Sequence, residues 1–80
     1  MNIQLIEGQF TNKEALDLIT QMIHIKIKFH ENKINNNSNE EDVKYRETKI
    51  KNLQKELFEL KYYLDNNGNS VKLEAQVFVK

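Results

Sequence analysis

The chain has no cysteine, and its 80 residues include only two glycines and two serines. Without cysteine, neither a disulfide nor a cysteine–zinc site can brace so small a core, and association with another chain is the remaining common brace. Gly8 and Gly68 are too few and too far apart for a glycine-rich phosphate loop. Ser70 sits in no nucleophile elbow, and Ser38 reads as a helix cap. The two histidines, His24 and His30, have no companions at metal-ligand spacing, and His24 falls on a polar helix side. No metal or cofactor is expected. No carboxylate pair has a catalytic spacing either, so an enzyme is not expected.

Charge of one sign is missing as well. Twelve Lys and Arg balance twelve Asp and Glu. That balance argues against a general polyanion-binding surface, so nucleic acid is not an expected partner, but it leaves room for a local basic pocket. No apolar run is long enough to cross a bilayer, and no basic segment leads into an apolar stretch at the N-terminus. Neither a membrane nor a secretory leader is therefore expected, and the cytoplasm is the expected location.

What remains is clear periodicity. Residues 2–9 alternate as a strand, with Ile3 and Leu5 on one side, Gln4 and Ile6 on the other, and Gly8 as a bulge or strand end. Thr11 and Glu14 have capping-box spacing, and Phe10 with Ala15 can add a hydrophobic staple. A helix is predicted over 12–34. Its apolar arc is wide: Ala15, Leu18, Ile19, Met22, Ile25 and Phe29 share one side, extended by Leu16, Ile23, Ile27 and Ile34. An arc that wide implies two packing surfaces, the second being a sheet or another subunit.

Asn35–Asn39 reads as a loop. Ser38 and Glu41 repeat the capping-box spacing, and Glu40, Glu41 and Asp42 suit a positive helix start. A second helix is predicted over 39–65, ended by Asn66-Asn67-Gly68-Asn69, which tolerates positive φ. A second strand is predicted over 70–80, with Val71, Leu73, Ala75, Val77 and Val79 on one face. The short loop makes the helices antiparallel neighbours. The expected fold is α+β: a β-α-α-β chain with a helical hairpin packed on a small antiparallel sheet, forming a single domain over 1–80. A two-stranded sheet leaves both edges open, so completion by a homodimer or larger homo-oligomer is expected.

One feature breaks the pattern. The second helix carries a heptad stripe, Val43, Ile50, Leu57 and Leu64 in one seam and Arg46, Leu53 and Leu60 in the other. Arg46 occupies a place meant for an apolar residue. Lys26, His30 and Lys33 line up at i, i+4 and i+7 within the apolar arc of the first helix, and the hairpin brings Arg46 opposite them, with Tyr45 beside it. Cations grouped in apolar surroundings need a countercharge. One reading supplies an anionic small molecule, such as a phosphate or nucleotide, with Lys26, Lys33 and Arg46 giving charge, His30 orienting it and Tyr45 closing the edge. The other satisfies the cluster internally: Glu47, or Glu31 of a neighbouring chain, pairs with Arg46, the lysines extend into water, and the seam Arg fixes register.

Phe58, Tyr62 and Tyr63 fall off the seam, and Phe78 lies on the polar side of the last strand. They are expected to cover a sheet, edge a core or meet another subunit. The expected role is a non-enzymatic binding or assembly module, with a protein–protein inhibitor or adaptor acting through the hairpin as the alternative. The segments LIEGQFTNKEA (Leu5–Ala15), KIKFHENKI (Lys26–Ile34) and KYRETKIKNLQKEL (Lys44–Leu57) resemble a family of small uncharacterised bacterial or phage proteins with a strand–helix–helix–strand layout. The resemblance implies that layout alone and carries over no functional residue.

Overall fold

The computed structural model describes residues 1–35 and 37–80; Asn36, part of the expected loop, lies outside the described residues. The order is β1 (Asn2–Thr11), α1 (Asn12–Lys33), α2 (Glu40–Asp65) and β2 (Ser70–Phe78). The two strands pair antiparallel, and the two helices form an antiparallel hairpin. The fold class is therefore the α+β, β-α-α-β arrangement that the periodicity implies.

Local chemistry sets each boundary. Thr11 caps α1: its hydroxyl accepts from the Glu14 N–H at 3.1 Å, and the Glu14 carboxylate accepts from the Thr11 N–H at 2.9 Å. Helix α1 stops at Lys33 because Ile34 turns extended, at φ −86° and ψ 119°. The cap of α2 is Asn39, whose side-chain oxygen accepts from the Asp42 N–H at 2.8 Å, and not Ser38. Ser38 is engaged elsewhere. Its hydroxyl accepts from the Asn35 N–H and donates to the Lys33 carbonyl, closing the end of α1. Asn side chains likewise finish α2, with Asn66 and Asn67 donating to the Tyr62 and Tyr63 carbonyls. Asn12 ties the base of the hairpin together. Its amide donates to the Leu64 and Gly68 carbonyls at 2.8 Å each, and its backbone N–H reaches the Asn69 carbonyl.

The sheet departs from simple alternation. Gln4 faces Gln76 but Ile6 faces Ala75, which leaves Leu5 as an extra residue on β1. The bulge is at Leu5, and Gly8 sits inside the strand opposite Leu73. An inserted residue shifts the side-chain phase. Ile3 (opposite Val77) therefore shares a face with Ile6, Gly8 and Phe10, opposite Ala75, Leu73 and Val71. Leu5 is left 52% exposed. The other face carries Gln4, Glu7, Gln9, Lys72, Glu74 and Gln76, with Phe78 exposed at its end.

Gly8 has φ +139°, a region that residues with a Cβ rarely enter. A Cβ there would meet only the Phe10 ring, at 3.9 Å, so the demand comes from the backbone and not from crowding. Gly8→Ala is expected to destabilise the protein by about 1–3 kcal/mol. A urea melt with the midpoint unchanged would contradict this.

The core is thin. Among the described residues the buried apolar side chains are Ala15, Leu53 and Leu64. The heptad seam of α2 otherwise points inward, with Val43, Ile50, Leu57 and Leu60 half-buried. The backbone of α1 runs closer to the strands than that of α2, whose side chains reach toward them. The Cα extents of 46 × 33 × 14 Å describe a slab. Its radius of gyration is 15.3 Å, against about 12 Å for a compact domain of this length.

The wide arc of α1 divides in two. Ala15, Leu16, Ile19, Met22, Ile23 and Ile27 turn inward, whereas Leu18, Ile25 and Phe29 remain 36%, 71% and 53% exposed. The off-seam aromatics Phe58, Tyr62 and Tyr63 are exposed as well and cover no core. Among the described residues no helix is long and apolar enough to cross a membrane.

Candidate functional site

The hairpin places His30 of α1 against Arg46 of α2, near the end that joins the two helices. Arg46 takes a core-facing seam position, so its side chain starts out toward α1 and is half-buried. Its Nη1 lies 2.9 Å from Nδ1 of His30, whose ring is buried. A guanidinium can only donate, so Nδ1 must accept and the imidazole is neutral with its proton on Nε2. Burial, and then the positive charges of Arg46, Lys26 and Lys49, push the His30 pKa below its ordinary 6.5. Geometry and electrostatics thus agree on a neutral His30 at pH 7.

Aromatic faces complete the surroundings. The Arg46 guanidinium lies 5.8 Å from the Phe29 ring centre and 5.7 Å from that of Tyr45. Lys33 stands 5.5 Å over Phe29, and Lys49 stands 5.4 Å over Tyr45. Such contacts are favourable, at about 0.5–1 kcal/mol each when exposed, but leave the positive charge uncompensated.

The residues singled out from the sequence fall into place unevenly. Arg46 meets His30 directly and lies over the Tyr45 and Phe29 rings, and Lys33 joins them through Phe29. Lys26 is exposed and acts on His30 through its field. Its side chain also lines a cleft of ≈350 Å3 between α1 and the sheet, together with Ile6, Met22, Leu53, Glu56 and Glu74. Phe29 and Lys49 were not anticipated as members. Lys49 follows Tyr45 by one turn, a spacing that could have flagged it. Phe29 read as one more apolar residue, because nothing in sequence marks a ring as a cation platform.

Internal compensation through Glu47 does not occur. The ion pair found among the described residues is Lys44–Glu40 at 3.3 Å, an exposed pair one turn apart. Arg46 therefore has a neutral imidazole and two rings as neighbours, with no carboxylate in ion-pair range among the described residues. No group of three or more His, Asp or Glu able to hold a metal ion occurs among the described residues.

Comparison with protein-family models, curated proteins and solved structures finds no match to this chain. The strand–helix–helix–strand resemblance accordingly carries no family assignment, and function rests on the residues themselves.

Proposed function

We propose that this chain is a non-enzymatic, self-associating binding module that holds an anionic group at the Arg46–His30 cluster. The observation that carries the reading is the half-buried guanidinium of Arg46, which has no carboxylate partner among the described residues, while Lys26 and Lys49 raise the positive field at its partner His30 and Lys33 stands over the neighbouring Phe29 ring. A phosphate, free or on a nucleotide, suits it. Arg offers a planar donor fork, and the lysines add point charges. The rings of Phe29 and Tyr45 give a nucleotide base a place to stack.

Titration calorimetry with inorganic phosphate and a nucleotide panel tests the site. The wild-type protein is expected to bind, and Arg46→Ala to weaken binding by about 10- to 100-fold, the loss of a charged hydrogen bond worth about 1.5–3 kcal/mol. The absence of heat with every anion, or equal binding by Arg46→Ala, would remove the reading.

A second reading is favoured by the exposed aromatics of α2. Phe58 and Tyr62 are 72% and 69% exposed, a surface suited to a protein partner of an inhibitor or adaptor acting through the hairpin. That reading expects a co-purifying protein and no small ligand.

A further inference from the structure

One side of α1, exposed at Leu18, Ile25 and Phe29 and half-buried at Met22, has an internal symmetry. Glu14, Leu18, Met22, Ile25, Phe29 and Lys33 follow one another at steps of four, four, three, four and four. At ~100° per residue they form one stripe along the helix. The stripe is a palindrome in chemistry: an acid, two apolar residues, two apolar residues, a base. Its midpoint lies between Ile23 and His24. When two such helices cross antiparallel about a two-fold axis at that midpoint, Leu18 faces Phe29 of the second copy, Met22 faces Ile25, and Glu14 faces Lys33. Every apolar residue meets an apolar one and each charge meets its opposite. A two-fold interface requires this kind of self-complementarity.

The surface area points the same way. The chain exposes 6675 Å2, whereas a folded monomer of 9.5 kDa exposes about 5,000 Å2. The excess is roughly 1,600 Å2 per chain, well above the ~800 Å2 per partner of an ordinary stable interface. The excess does not by itself locate the interface; Leu18, Ile25 and Phe29 are among the exposed large apolar side chains, and it is the self-complementary order of the α1 stripe that selects this face.

We infer that a second copy of this chain docks on the α1 flank as an antiparallel, two-fold α1–α1 pair centred between Ile23 and His24. The inference rests on the self-association part of the reading above and shares only Phe29 and Lys33 with the anion site. Ile25, 71% exposed, forms the centre of the contact, with half-buried Met22 at its inner edge. Glu14 and Lys33 sit at its rim, where they select orientation more than they add affinity.

The absence of cysteine makes the geometry directly measurable. Leu18→Cys and Phe29→Cys are made as separate variants, mixed in equal amounts and oxidised. In the antiparallel pair the two different positions face each other, while like positions lie about 16 Å apart along the axis, too far for a disulfide. The mixture is expected to yield the mixed disulfide at least roughly tenfold faster than either variant alone. Homodisulfides in each separate variant would overturn the antiparallel pairing in favour of a parallel one. No disulfide from a protein whose scattering mass still exceeds one chain would overturn this interface and leave self-association standing through another surface. A scattering mass of one chain at all concentrations would remove both.

Discussion

Leu53→Ala is expected to be among the most destabilising single truncations in this protein. Leu53 is 8% exposed, and it and Leu64 are the two large apolar side chains that reach burial among the described residues. Leu53 comes from the seam of α2 and lines the cleft beneath Ile6, Met22 and Ala75, so it is where hairpin and sheet meet. Truncating a buried leucine costs about 2–5 kcal/mol, less where the site can relax or is partly wet. The cleft beside Leu53 puts it near the lower figure. A domain of this length has about 4–12 kcal/mol in all, and a core this thin places the chain toward the bottom of that range. Losing 2–3 kcal/mol therefore removes a large share. Leu18→Ala, on the exposed flank, is expected to cost less than 1 kcal/mol in the isolated chain. Urea denaturation at equal protein concentration separates the two. Equal midpoints for Leu53→Ala and wild type would mean that the hairpin seam does not hold the fold.

Acidification is expected to weaken the fold through His30, and an anion is expected to reverse the effect. The His30 pKa is lowered by burial first and by Arg46, Lys26 and Lys49 after it. The unfolded chain thus takes up the proton at higher pH than the folded one. Between the two pKa values the unfolded state binds more protons, so stability falls as pH drops below about 6.5 and is fully present above it. Protonation also turns Nδ1 from acceptor to donor and breaks the contact with Arg46. A bound phosphate inverts the balance, because a charged His30 then meets an anion and the folded pKa rises. Tm measured from pH 7.5 to 5.5 is expected to fall without phosphate and to fall less with it. His30→Gln keeps a neutral acceptor for Arg46 and is expected to flatten the phosphate-free profile in that window. A wild-type Tm that rises on acidification would contradict the assignment of a neutral His30.

Both expectations depend on features that the sequence exposes to different degrees. Arg46 was legible because a heptad stripe specifies what should stand in each seam position, and a cation there violates it. That His30 would be its partner was half legible. The i, i+4, i+7 line placed His30 on the correct face, but the choice between an imidazole, Glu47 and a ligand depends on side-chain reach across the hairpin. Ser38 and Asn39 show a similar limit. Both can cap a helix, and only the local backbone shows that Ser38 closes α1 and leaves Asn39 to start α2.

By itself the sequence determined the order of strands and helices, their antiparallel pairing, the seam of α2 and the misplaced cation. These follow from periodicity and capping, which act between residues near one another along the chain. The tertiary structure decided the bulge at Leu5, which moves Ile3 and Ile6 onto one face. It also decided the recruitment of Phe29 and Lys49 to the basic cluster and the division of the wide α1 arc into a buried side and an exposed flank. Those outcomes depend on strand register, on side-chain reach across the hairpin and on how far a two-stranded sheet can cover a helix. None of these is set by neighbours in the chain.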